Sequence, residues 1–176
     1  MIPTELYKTA IIPAYKLLSA NMSSIEASLM LLAIPLQESE LKERRQLITK
    51  VIDGRKKLLP LGPAVSFWQF EQGDPISRGG VWGVLNHYSV GLKAVTVCRA
   101  LGIEPTAPKV WEAMQTNDVL AAAMARLLLY SSPKALPKVG DVQGAWKMYT
   151  DTWRPGKPHP EKWPAHYANA RATLGV

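Results

Sequence analysis

A chain of 176 residues is the size of one domain, and an apolar fraction of 47% is enough to bury a core, which excludes a disordered chain. A single cysteine, Cys98, excludes an internal disulfide framework; it lies in the apolar "VTVCRALGI" and reads as core rather than nucleophile. The net charge of +7 and the pI of about 9.6 point to a polyanionic partner: nucleic acid, anionic lipid or an anionic cell-wall polymer.

Helical signals dominate from the start. Residues 4 to 20 carry apolar positions at helical spacing, interrupted by Pro13. The same segment has no charged n-region followed by an apolar h-region and a small-residue cleavage site, so the expectation is synthesis in a cytoplasm without a signal peptide. No apolar run is long enough to predict a transmembrane helix. "SSIEASLMLLA" then opens a helix, with Ser23 and Glu26 in a capping-box pattern. Following one stripe of this helix passes through Ala27, Leu31, Ile34, Glu38, Leu41 and Ile48. Glu38 therefore stands where an apolar residue belongs. A carboxyl facing a core or a cleft is desolvated, tends to keep its proton, and can serve as a general acid. The competing reading is a helix that ends or bends at Pro35 and leaves Glu38 on a solvated surface.

After Glu38 comes a basic run, Lys42, Arg44, Arg45, Lys50, Arg55, Lys56 and Lys57, read either as a solvated face or as a patch for an anionic wall. Residues 60 to 88 are rich in Gly, Pro and aromatics and read as irregular. Within them "AVSFWQFE" alternates enough for a short extended segment, with a loop or small hairpin inserted around residues 62 to 75. "SVGLKAVTVCRALG" predicts a helix ending at Gly102. "TAPKVWEAMQT" predicts a short helix with Pro108 near its start. "NDVLAAAMARLLLYSS" predicts a helix capped by Asn117 and closed before Pro133. "DVQGAWKMYTDTW" predicts a helix capped by Asp141, and Pro164 opens a last one after the Pro-rich "RPGKPHPEKWP". The fold class expected is all-α, or mainly α with a small hairpin, in one domain over residues 1–176.

Four pieces occur in a telling order: Glu38-Ser39 in "QES", Gln69 in the Gly-led aromatic "GPAVSFWQFEQGD", the Asn-led "NDVLAAAMARLLLY", and Tyr149 in "WKMYTDTWRPG". The order resembles the lysozyme-like superfamily, in particular soluble lytic transglycosylases and goose-type lysozymes. In that family a helix ends in Glu-Ser, a Gly-Leu-Met-Gln segment lines the cleft beside it, an Ala/Leu-rich helix begins with Asn, and a later helix brings a Tyr to face the glutamate. The resemblance covers residues 38 to about 156. Only Gln69 matches the Gly-Leu-Met-Gln pattern, no Asn-Ala-Gly follows Tyr149, and the longer stretch between Glu38 and Gln69 implies an insertion holding the basic run.

The resemblance implies a lysozyme-like domain that cleaves the β-1,4 bond between N-acetylmuramic acid and N-acetylglucosamine in peptidoglycan. Glu38 would be general acid, then base. Gln69 and Phe70 would line the cleft floor, and Tyr149 would position the glutamate or the sugar. Ser39, Trp68 and Trp153 fall within or beside the motifs and are candidate substrate contacts, since aromatic faces stack on sugar rings. Trp111 and Trp146 sit at core spacing and are expected only to pack. Cleavage also needs stabilisation of a cationic sugar on the opposite face. Glu71 is the best second carboxylate, ahead of Asp74 and Asp53. His87, His159 and His166 form no metal-binding pattern, so neither metal nor other cofactor is expected. The setting implied is a phage endolysin or virion-associated lysin, acting as a monomer on glycan strands at an anionic cell wall. A catalytically silent structural or wall-binding virion protein is the alternative. A basic nucleic-acid-binding protein is a further rival, against which no zinc-finger spacing, RNA-binding signature or helix-turn-helix is seen.

Overall fold

Helix α3 (Ile25–Ser39) is the spine of the protein, and every residue from Ala27 to Leu36 along it is buried. A computed structural model describes all 176 residues. A helix apolar on all sides must be covered on all sides. Helix α9 (Trp163–Leu174) gives α3 its most extensive packing, with α7 (Asp118–Ser131) and α8 (Val142–Trp153) also against it. The N-terminal chain runs as one helical stretch, α1 (Pro3–Leu6), a wider-wound π segment (Tyr7–Ile11) and α2 (Ile12–Lys16), and packs on α7. The π segment ends as Ile12 N–H bonds back to the carbonyl of Tyr7, one residue before Pro13, which has no N–H to give. Helices α4 (Gly80–Asn86), α5 (Gly91–Ala100) and α6 (Ala107–Ala113) close the remaining side, and one core of 40 buried residues runs through the whole. The protein is mainly helical, and no helix is long and apolar enough to cross a membrane.

The caps follow the side chains. Asn117 Oδ1 accepts from the N–H of Leu120 at 2.9 Å, and Asp141 Oδ1 from that of Gly144 at 2.8 Å. The cap of α3 is Ser24, which accepts from Ala27 N–H at 3.1 Å, one residue later than the Ser23 pattern predicts. Gly102, at φ +69°, closes α5 as expected.

The hairpin lies elsewhere than predicted. Strands β1 (Ile48–Ile52) and β2 (Arg55–Leu59) pair antiparallel inside the basic run, not around residues 62 to 75. Asp53 and Gly54 both have positive φ, 51° and 73°, as a tight two-residue hairpin turn requires. The turn pair Asp-Gly between "ITKVI" and "RKKLL" was the available signal. "AVSFWQF" instead forms a closed loop: Val65 and Phe70 exchange two backbone hydrogen bonds, at 2.9 and 2.8 Å. Residues 80 to 86, read as irregular, are helical.

Pro35 neither ends nor breaks α3, which continues to Ser39 and closes on Glu40 in the left-handed conformation. The predicted stripe stops there, so Leu41 and Ile48 are not on it. Because Pro35 lacks an N–H, the carbonyl of Leu31 one turn back has no helical donor. The indole N–H of Trp68 fills that place at 3.1 Å. Trp68 is wholly buried there.

Replacing Trp68 by Phe leaves the Leu31 carbonyl buried and unpaired, at a cost of about 1–3 kcal/mol. In a Pro35→Ala background a backbone N–H returns to that carbonyl. Urea unfolding should therefore show a smaller loss for Trp68→Phe in Pro35→Ala than in the native chain; equal losses would refute the pairing.

Candidate active site

Three segments meet around Glu38: the last turn of α3, the loop 65–70 and the last turns of α8. Trp68 ties the loop to α3 from inside. The hydroxyl of Ser39 ties it from the end, donating to the carbonyl of Phe67 at 2.8 Å with that of Pro35 also in reach at 3.0 Å. The loop is tight enough that Ser66 and Gln69 both take positive φ, 64° and 51°, a strained arrangement for residues with a side chain. The third segment joins through Trp153, whose indole N–H donates to the carbonyl of Trp68 at 2.9 Å. Its ring meets Phe70 edge to face, centroids 5.8 Å apart.

Tyr149 precedes Trp153 by four residues, so both project from one face of α8. Tyr149 stacks on Trp163 with centroids 5.2 Å apart and planes 9° from parallel, and Trp146 closes on both rings. The buried tyrosine hydroxyl so held donates to Glu38 Oε1 at 2.7 Å. Glu38 Oε2 has no protein partner. Burial pushes the carboxyl of Glu38 up to about 7, the hydrogen bond from Tyr149 pulls the other way, and no neighbouring charge contributes. Burial and the glutamate together raise the Tyr149 phenol well above its ordinary value, so it remains a donor.

Glu38 lies in the wall of an open cleft of about 1120 Å³. Gln69, Phe70, Glu71 and Trp153 also line it, as do His87 and the cations Arg78, Lys134, Arg154 and Lys157. Glu71 is exposed, with its carboxylate making no hydrogen bond. The chain beside Glu71 depends on Gly80, at φ +58°, where a Cβ would meet the Glu71 carbonyl at 2.3 Å.

The structure sorts the predicted contacts. Glu38, Gln69, Phe70, Glu71 and Trp153 share the cleft. Trp68 and Ser39 do not line it: the indole is spent on the orphan carbonyl of Leu31 and the hydroxyl on the loop, so both are positioning residues. Tyr149 lies behind Glu38, not beside the space a ligand would fill. The amide of Gln69 folds back, Nε2 donating to the carbonyl of Ser66 at 2.8 Å. Asp53 is on the hairpin turn, and Asp74 caps its own turn through the N–H groups of Ile76 and Ser77. Arg78, Lys134, Arg154 and Lys157 were not foreseen as cleft residues; they sit in loops outside the helices, where spacing carries no signal. Cys98 is buried and its thiol is pushed up to about 11, as suits core. No three His, Cys, Asp or Glu side chains converge to form a metal centre. Comparison of the chain with protein-family models, with curated proteins and with solved structures finds no match.

Two outcomes follow from the Glu38 environment. Tyr149→Phe removes a bond that favours the carboxylate, so the Glu38 pKa should rise further in a carbon-detected NMR titration; a fall would contradict the arrangement. A carboxyl that holds its proton more tightly folded than unfolded contributes stability below its unfolded value of 4.5, and this is lost as pH rises toward about 7. Thermal melts should show Glu38→Gln gaining on the native chain across that window and no further above it.

Proposed function

We propose that this chain is a lysozyme-like, peptidoglycan-degrading enzyme that cleaves the β-1,4 bond between N-acetylmuramic acid and N-acetylglucosamine with Glu38 as its acid. The observation that carries the reading is the state of one carboxyl. Glu38 has one oxygen held by Tyr149, the other free, and a pKa near 7 in a cleft wall. A group so tuned still holds a proton near neutral pH and presents it on one side only. The four motifs that resemble the family also meet around one cleft, which supports the same conclusion.

In this reading Glu38 protonates the leaving oxygen of N-acetylglucosamine as its bond to C1 of N-acetylmuramic acid breaks. The carboxylate left behind is stabilised by the Tyr149 hydroxyl and then takes the proton from the nucleophile. The one side-chain hydrogen bond to Glu38 comes from Tyr149, and no second carboxylate shares it. That favours attack by the 6-hydroxyl of the same sugar, which forms the O6–C1 bond and an anhydro end. Glu71, exposed in the same cleft, is the group that would orient a water if the product were a reducing end. Phe70 and Trp153 offer an apolar edge for sugar rings, and the cations of the cleft suit a glycan bearing acidic peptide stems. Such an enzyme fits a phage lysin, released at lysis or carried on the virion.

Purified cell walls supply the test. Glu38→Gln should lower the clearing rate by roughly 10²–10⁴-fold, the scale of general-acid catalysis. Native activity should fall as pH rises past about 7, where Glu38 loses its proton, and Tyr149→Phe should move that limb to higher pH. Undiminished clearing by Glu38→Gln would refute the mechanism. Mass spectrometry of the released fragments should find anhydro ends; reducing ends would assign the second step to water and bring Glu71 into it.

A further inference from the structure

The β1–β2 hairpin takes no part in the chemistry proposed above, and none of its ten strand residues is buried. It carries Lys50, Arg55, Lys56 and Lys57, and none of the four forms an ion pair. Arg44 and Arg45 of the same basic run are different. Arg44 makes a two-pronged bond to Asp118, at 3.0 and 2.7 Å, and Arg45 donates to the carbonyl of Gly62. They fasten the base of the hairpin to the body and leave its cations free.

The register puts three of those cations on one face, with the half-buried Ile48, Ile52 and Leu59, and leaves Lys56 with the two most exposed aliphatic residues of the hairpin on the other. Lys50 stands directly opposite Lys57, and Ile52 opposite Arg55, so three cations share one face. Thr49 stands opposite Leu58, and Val51 opposite Lys56, so Val51 and Leu58 are diagonal neighbours on the other face. Val51 is 67% exposed and Leu58 65%, and Leu47 just before β1 is exposed as well. Both features oppose the stability of a free hairpin. Like charges directly across a strand pair repel, and adjoining aliphatic side chains stand in water.

A partner made only of phosphates would relieve the first and leave the second. An anionic bilayer relieves both: the boundary of its acyl region takes Val51 and Leu58, its headgroups meet Lys56 beside them, and its surface potential attracts Lys50, Arg55 and Lys57 across the thin ribbon. The hairpin is also rigidly joined to the cleft. Gln46 N–H bonds to the carbonyl of Ala64 and Gly62 N–H to that of Gln46, both at 2.9 Å, and Gln46 and Ala64 line the cleft. We propose that the β1–β2 hairpin is an interfacial anchor that binds an anionic phospholipid surface and holds the mouth of the cleft beside it. The inference stands on the hairpin alone and does not depend on the reaction assigned to Glu38.

Vesicle co-sedimentation of the full chain tests it, using phosphatidylcholine alone and phosphatidylcholine mixed with phosphatidylglycerol. Binding to the mixed vesicles should exceed binding to the neutral ones by at least about tenfold, since each cation near an anionic surface contributes about fivefold and the hairpin carries several. The pair Lys50→Gln and Lys57→Gln should reduce it by about tenfold. The pair Val51→Ser and Leu58→Ser should also reduce it by about tenfold or more, through lost apolar contact alone. None of these side chains is buried, so thermal melts should be unchanged and loss of fold is separable from loss of binding. A gel shift with duplex DNA forms the control arm. Equal binding to neutral and anionic vesicles overturns the proposal. So does binding that ignores the Val51 and Leu58 changes. DNA binding without vesicle binding would make the hairpin a nucleic-acid surface instead.

Discussion

One missing N–H organises the site. Pro35 lies inside α3, where every neighbouring residue is buried, and it leaves the carbonyl of Leu31 without a helical partner. A buried carbonyl must find a donor, and water cannot reach this one. The indole of Trp68 supplies it. That single bond brings the loop 65–70 against the C-terminal turns of α3, where Ser39 makes the second fastening. The same Trp68 offers its own carbonyl to Trp153, so α8 is drawn in too. The cleft wall is thus assembled from three separate segments by hydrogen bonds that begin at one proline.

The carboxyl of Glu38 is set by two opposed effects of this packing. Removing water from it favours the neutral acid, and the Tyr149 hydroxyl favours the carboxylate. Desolvation wins, but the hydrogen bond keeps the group within reach of neutral pH, where a proton can be both given and recovered. The aromatic stack of Trp146, Tyr149 and Trp163 determines where the hydroxyl stands, so α9 contributes to the site without touching the cleft. The hairpin shows the opposite condition. It is left outside the core, with its charges unpaired and with Val51 and Leu58 uncovered.

Local chemistry made much of the helical framework legible. Asn117 and Asp141 predict the caps they form, Gly102 the end of α5, and Pro164 the first turn of α9, because each acts within a few residues. The stripe argument for Glu38 reached the right position for an incomplete reason. Helix α3 is buried on all sides, so no single face distinguishes core from surface. Glu38 differs because it lies past the last fully enclosed turn. The hairpin lies where only an insertion with a basic run is expected, although Asp53-Gly54 announces it, because "ITKVI" and "RKKLL" stand out by charge and show no clean alternation.

The sequence by itself determined most of the helical segments, Gly80–Asn86 excepted, that a carboxyl would follow an apolar helix, and that an aromatic loop and a Tyr-bearing helix would come after it. These depend on propensity, capping and periodicity, which are local. Only the tertiary structure decided what those residues do with one another. It turned Trp68 and Ser39 from candidate sugar contacts into the ties that hold the loop, and it set Tyr149 behind Glu38. It also brought Arg78, Lys134 and the pair Arg154 and Lys157 from three separate loops to one cleft. The reason is physical: an orphan carbonyl, a desolvated acid and a gathering of cations arise between segments far apart in the chain, and no spacing along the chain records them.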